Sequence, residues 1–279
     1  MNKTAVRSIT GASRAIVMVL LLSVTLFPLF WIVSTAFRPD SETLVNPPMF
    51  LPHTVTTEQF VNLFADDDTW KFIKNSLIAT VASTVLVLAV AAPASYALAR
   101  HRFPADAGRA IIMFMLAFRF IPGFVFVIPL FLSFRDLHLL DNVWALVLMY
   151  TVMNLPLSVW IMMPTIQSIP MEINEAAAID GASVWQTFTR VALPLMGPAL
   201  ATAGTLSMIF AWNEFFVALI FTQNNAVTLP VLMSTYIGDF GIQWGRIAAT
   251  ALVAVAPIVL LGLLAQRALV RGMTAGAVK

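Results

Sequence analysis

The 279-residue chain contains no cysteine. That excludes a disulfide, a thiolate-ligated zinc and a thiol nucleophile. Charge is also scarce: Asp, Glu, Lys and Arg make up 11% of the residues, where a soluble domain carries about 25%. The formal net charge is +2, and no basic block offers a surface for nucleic acid. The three histidines, His53, His101 and His138, fall in separate connections and read as loop residues rather than ligands or bases; no metal site is expected. The sequence has no Gly-x-x-x-x-Gly-Lys-[Ser/Thr] phosphate loop, no His-Glu-x-x-His and no Gly-x-Ser-x-Gly. No catalytic residues are therefore expected. Work against a gradient would need energy from a partner or from an ion gradient.

What the chain has in abundance is apolar surface, 59% of residues with a mean hydropathy of +0.87. Six runs stand out: Ala15–Phe37, Asn75–Ala99, Ala110–Phe134, Val143–Met163, Ala199–Phe221 and Ile247–Leu269. Each as a helix is about 30 Å or longer, enough to cross a bilayer. Helices are the expected form, because hydrocarbon offers backbone groups no partner, and the continuous runs lack the alternation of barrel strands. Lys3, Arg7 and Arg14 precede the first run and Ser34-Thr35-Ala36 imitates a cleavage site. Its 23 residues exceed the h-region of a signal peptide, so it reads as an uncleaved span. The expectation is one all-α membrane domain over residues 1–279.

The cations set the orientation. With six spans, Lys3, Arg7, Arg14, Arg100, Arg102, Arg109, Arg190, Arg267, Arg271 and Lys279 share one side, against Arg38, Lys71, Lys74, Arg135 and Arg246 on the other. Both termini are expected in the cytoplasm. The long outer segment Arg38–Lys74 is Pro-rich, Thr57-Glu58-Gln59-Phe60 suits the start of a short helix, and Asp66-Asp67-Asp68 reads as a solvated loop.

A polar island, residues 164–197, separates the fourth and fifth runs on the inner side. Pro170 suits the first turn of a helix, Glu172 and Glu175 its N-terminal end, and Ala176-Ala177-Ala178-Ile179 its body. Asp180-Gly181 stops it. Ser183-Val184-Trp185-Gln186 is a capping box that opens a second helix, striped by Trp185, Phe188 and Val191 and ended by Pro194. A helix pair lying on the membrane surface needs a basic polar face, and Arg190 is the only cation between Arg135 and Arg246. The island reads better as a docking surface for a partner, with Gly181 as the hinge between its helices.

Glu175-Ala176-Ala177, Gly181 and Leu193-Pro194 resemble the EAA loop of ABC-importer permease subunits. The likeness extends through Ile128-Pro129-Leu130-Phe131, Leu139-Leu140-Asp141, Asn154-Leu155-Pro156, Ile169-Pro170, Asp180-Gly181-Ala182, Ala211-Trp212-Asn213-Glu214-Phe215 and Arg271–Lys279. These are similar to the carbohydrate-uptake branch, in particular its second permease in maltose, trehalose and polyol importers. The resemblance implies a type I importer fold with six membrane helices in a bacterial inner membrane. It also implies a homologous second permease, a dimer of cytoplasmic ATPase subunits that bind the ATP and magnesium, and an outer sugar-binding protein. This chain would bind no cofactor. Glu175, Ala176, Ala177, Asp180, Gly181, Leu193 and Pro194 would couple it to the ATPase, and Thr274, Gly276 and Lys279 in the tail would touch the same subunit.

Arg119 and Glu214 lie at membrane depth, at a cost of about 2.5–3.5 kcal/mol each on insertion scales. With Asn154 and Asn213 they are candidates for the substrate path or its gate; Ser158 and Gln243 are further polar candidates. The structural reading of Arg119 and Glu214 is strong as well: either can pair within the subunit or with the second permease simply to satisfy burial. Two rivals remain: an ion-coupled secondary transporter using Arg119 and Glu214, which usually shows inverted repeats or paired broken helices, and a membrane enzyme. Cargo is open among maltose, trehalose, other oligosaccharides, polyols and glycerol-3-phosphate.

Overall fold

A computed structural model describes the backbone of residues 3–101, 107–238 and 241–274, with side chains over 14–101, 107–108, 110–238 and 241–263. Thirteen helices account for most of it: α1 (Lys3–Ala36), α2 (Glu58–Ala65), α3 (Asp67–Arg100), α4 (Ala107–Phe120), α5 (Gly123–Asp136), α6 (Val143–Ser168), α7 (Met171–Ile179), α8 (Val184–Thr187), α9 (Leu193–Leu195), α10 (Gly197–Trp212), α11 (Phe216–Phe221), α12 (Leu229–Thr235) and α13 (Trp244–Thr274). A small antiparallel hairpin pairs β1 (Ile237–Gly238) with β2 (Gly241–Ile242).

Helices α1, α3, α6 and α13 each contain a segment long and apolar enough to cross a membrane, and two bent helix pairs raise the number of spans to six if each pair is one span. The run Ala110–Phe134 is one such pair rather than a straight rod. Helices α4 and α5 meet at 91°, at Ile121-Pro122, where proline has no N–H to continue the ladder. The run Ala199–Phe221 parts at Asn213–Phe215 into α10 and α11. The acidic triplet is not a loop. Asp66 follows the last turn of α2, and Asp67 and Asp68 open α3, where carboxylates favour the helix dipole.

The chain divides into two compact units, Met1–Asp67 with Met233–Ala256, and Asp68–Leu232 with Pro257–Lys279. In the first, the most apolar stretch of α1 is left exposed among the described residues, as a lipid- or partner-facing helix requires. Its far end turns on Arg38, which is 1% exposed. The guanidinium donates to Ser34 Oγ at 2.9 Å and the Met49 carbonyl at 2.8 Å, and lies 5.7 Å from the Trp31 ring centre. Gln59, also buried, donates to Asp40 Oδ1 at 2.9 Å. Gly245 of α13 gives that side chain room.

In the second unit α3, α6 and α10 enclose two apolar clusters. One, towards the Arg100 end of α3, joins Val87, Ala91, Tyr96, Met162, Ile166, Phe188, Met196 and Ala203. The other joins Ala79, Val127, Leu146, Tyr150, Ala211, Phe221 and Val231. Small residues on α10 let backbones approach, as between membrane helices generally. Ser158 of α6 and Ser207 of α10 share a hydrogen bond at 3.0 Å there, so Ser158 is a buried helix-to-helix contact.

Gly245→Ala tests the packing of the first unit. Alanine is the better helix former by about 1 kcal/mol. Its Cβ would fall 2.6 Å from the Gln59 amide, displacing a buried group from its bond to Asp40. The clash outweighs the propensity, and a net loss of about 1–2 kcal/mol should appear as a lower melting temperature in detergent.

Candidate coupling hairpin and membrane-depth residues

The polar island folds as two short helices with a closed corner. Helix α7 begins one residue after Pro170, which sits outside the first turn with extended ψ. It ends in a Schellman motif: the Gly181 N–H donates to the Ala178 carbonyl at 3.0 Å and the Ala182 N–H to Ala177 at 2.9 Å. Gly181 takes φ +80°, and a Cβ there would meet no atom within 4 Å. The constraint on this position is backbone handedness alone. Ser183 then closes both halves of the capping box. Its Oγ accepts from the Gln186 N–H at 3.3 Å, and its N–H donates to Gln186 Oε1 at 2.8 Å. The corner is thus held by four backbone or cap bonds.

Pro194 does not end the second helix, as its sequence position suggests. The chain widens into a π-helix over Phe188–Ala192 and stays helical to Leu195. A wide turn relieves the clash between a proline ring and the carbonyl four residues back. The 76° bend comes at Met196, between Val184–Leu195 and Gly197–Trp212.

The hairpin has a root and a tip. Phe188 is buried in the α3–α6–α10 cluster with Tyr96 and Trp185 each 5.3 Å from its ring. Leu193 packs on the same cluster. At the tip, Ile179, Val184 and Trp185 are 87%, 77% and 65% exposed. Glu175 and Asp180 stand exposed near them, Glu172 is exposed in the first turn of α7, Ala176 is open and Ala177 partly so. Of the expected stripe, Phe188 faces the core, Trp185 faces outward and Val191 lies between.

The membrane-depth residues separate. Glu214 turns to its own backbone: its carboxylate accepts from the Val217 N–H at 3.0 and 3.1 Å and from Ala218 at 3.2 Å, beside the Tyr150 hydroxyl. It completes the start of α11. Asn154 is buried and donates to the Tyr150 carbonyl, and Asn213 ends α10 by donating to Ile209. Arg119 instead borders an open cavity of about 400 Å³ with Leu116, Phe120, Leu157 and Trp160. Its guanidinium lies 4.7 Å from the Phe210 ring centre. Among the described residues the one salt bridge joins Arg135 and Asp136, so Arg119 and Glu214 do not pair with each other. Gln243 is exposed before α13. Gly276 and Lys279 lie outside the described residues, and Thr274 ends α13 with its side chain outside them too.

Two arrangements join residues whose partners lie far away in the sequence. Arg100, read only as an orienting charge, donates to the Ile169 carbonyl at 2.7 Å. Its place one turn after Tyr96 is a cue that both share a helix face. Asp141 accepts from the backbone N–H groups of Gln223, Asn224, Asn225 and Ala226 and from the Asn225 side chain, all at 2.9–3.1 Å. Asn75 holds the same loop from α3, donating to the Asn225 and Val227 carbonyls at 2.8 and 3.0 Å.

Apolar helices long enough to cross a membrane, with a hairpin rooted in the α3–α6–α10 cluster and exposed at its tip, fit a component of a membrane transport system. The chain belongs to the family of binding-protein-dependent transport system inner membrane components, which matches residues 91–275. It is 36% identical to the diacetylchitobiose uptake system permease protein DasC of Streptomyces coelicolor, over 91% of each chain. It is 35% identical to the trehalose transport system permease protein SugB of Mycobacterium tuberculosis, over 96% of this chain and 99% of that one. Its fold matches, at TM-score 0.78 and 24% identity over 96% of this chain and 98% of the other, a crystal structure of a bacterial ABC transporter that imports the acidic polysaccharide alginate.

The Asp141 clasp has a pH signature. Partial burial pushes the carboxyl up, but the four backbone N–H groups together outweigh it and hold it below its ordinary value. A lowered folded value means stability is present above the unfolded value, about 3.9, and lost as pH falls through the folded one. Asp141→Ala should cost about 1–2 kcal/mol at neutral pH. Its melting temperature should also fall less than wild type on acidification below about pH 4.

Proposed function

We propose that this chain is the translocating subunit of an ATP-driven importer for a sugar, an oligosaccharide or polyol, working by alternating access. It pairs with a homologous permease, a dimer of cytoplasmic ATPase subunits and an outer sugar-binding protein. The saccharides in the names of its relatives support the cargo class. The observation that carries the energy source is the hairpin tip. Ile179, Val184 and Trp185 are among the most exposed apolar side chains of the described residues, and they flank the polar turn Asp180–Ser183, Val184 and Trp185 at the start of the second bent pair. An apolar tip flanked by Glu175 and Asp180, with Glu172 further back on the same helix, fits an apolar groove with basic edges on a water-soluble subunit.

In this reading the EAA residues have distinct tasks. Glu175, Asp180 and the smooth Ala176–Ala177 face meet the ATPase. Gly181 fixes the angle between the helices. Leu193 and Pro194 carry the second arm back into the core. The tail around Thr274, Gly276 and Lys279 supplies a second contact. The hairpin and both termini lie in the cytoplasm, supported by the cation count of ten against five. Arg119 and its cavity serve the substrate path or its gate, whereas the bonds made by Glu214, Asn154 and Asn213 favour structural roles along it.

The test is purification of the complex and ATP-driven uptake in proteoliposomes. The wild-type chain should co-purify with an ATPase, and hydrolysis should rise with a sugar-loaded binding protein. Ile179→Asp places a charge on an exposed side chain and should leave insertion intact while reducing uptake about tenfold or more, as loss of an interface anchor does. Uptake driven by an ion gradient without ATPase would establish the secondary-transporter alternative. Stimulation by glycerol-3-phosphate alone would replace the sugar cargo.

A further inference from the structure

We infer that Tyr96 and Arg100 form a strap that ties the last turn of α3 to both arms of the hairpin, and that this strap passes hairpin movement to α3. The inference rests on the proposed function and adds two positioning residues to it. Neither belongs to the surface offered to a partner.

The two side chains stand four residues apart, on one face of α3. Arg100 spans the joint between α6 and α7. One nitrogen donates to the Ile169 carbonyl at 2.7 Å and another lies 3.7 Å from Met171 Sδ. The Ile169 carbonyl is at the C-terminal end of α6, where a cation is favoured. The same group therefore holds the residues on either side of Pro170. Tyr96 spans the hairpin itself. Its hydroxyl accepts from Asn174 Nδ2 of α7 at 3.2 Å, and its ring packs at 5.3 Å on Phe188 at the start of the π-helix. Tyr96 is buried in the cluster that contains α6 and α10. A displacement of either arm must therefore act on α3 through Tyr96, and one at Pro170 must act through Arg100.

Two buried atoms at this joint have no partner: the Arg100 Nε–H, a donor on α3, and Asn174 Oδ1, an acceptor on α7. Buried polar atoms are normally paired. Both atoms lie where α3 meets the start of the hairpin, so the contact is not fully satisfied and a small shift of α7 breaks no bond at either atom. The bonds that such a shift must strain are those of Arg100 to Ile169 and of Tyr96 to Asn174.

The experiment measures ATP consumed per solute imported by the complete complex in proteoliposomes, for Arg100→Gln, Arg100→Lys and Tyr96→Phe. The first should assemble and hydrolyse ATP while the ratio rises about tenfold, as expected for loss of a charged hydrogen-bond donor. Arg100→Lys can still reach the Ile169 carbonyl and should recover most of the coupling. Tyr96→Phe keeps its ring on Phe188 and should raise the ratio about threefold. A wild-type ratio in Arg100→Gln and Tyr96→Phe overturns the strap. So does an equal fall of hydrolysis and import, or failure of both variants to assemble, since each marks a merely structural contact. A wild-type complex without ATP-driven import overturns the proposed function and the strap with it. A coupled wild type with unaltered variants overturns the strap alone.

Discussion

A chain in hydrocarbon must satisfy its own backbone, because no water is there to do it. Two breaks in the helices of this protein carry the mark of that rule. The Glu214 carboxylate takes the first free N–H groups of α11, and a π-turn opens the ladder ahead of Pro194. Outside the spans the same need is met by long-range means. Asp141 collects the amides of residues 223–226, and Asn75 takes the carbonyls on the other side of that loop. A charged or polar side chain in this setting is first a replacement for water.

That reading leaves two kinds of surface unexplained by self-satisfaction. One is the cavity beside Arg119, whose cation rests on a phenyl ring rather than on an acid. The other is the hairpin tip. Its backbone is fully closed by the Schellman turn and capping box, so its rigidity is local, yet its apolar side chains are bare. A stiff, closed corner with an uncovered apolar end transmits force better than a loose loop would. Gly181, expected as the hinge between the two helices, stands at φ +80° in that hydrogen-bonded corner. The 76° bend at Met196 and the joint at Pro170 are where the hairpin meets the spans.

Local features of the sequence were the most legible. The apolar runs locate the spans, and Ser183–Gln186 and Gly181 announce the cap and turn, because each depends on residues a few positions apart. Phe120-Ile121-Pro122-Gly123 marks a weak point in its helix, but the 91° angle between α4 and α5 does not follow from those residues alone. Long-range roles were illegible for the same reason. Arg100 meets a carbonyl 69 residues away, and Asp141 meets amides 82 to 85 residues away. In composition both are simply charges. Glu214 looks like a transport residue from its depth and becomes a cap once its neighbours are known. Chemistry at membrane depth has two readings until geometry separates them.

The central claim is that the tip at Ile179 docks into a water-soluble ATPase subunit on the cytoplasmic side. The chain has no cysteine of its own, so a single Ile179→Cys provides a unique cross-linking point. In inverted membrane vesicles holding the whole complex, a short thiol-reactive cross-linker should join this residue to the ATPase, and Phe50→Cys in the expected outer segment should give no such adduct. An Ile179→Cys chain that never cross-links to the ATPase, while Phe50→Cys does, would contradict both the docking surface and the orientation.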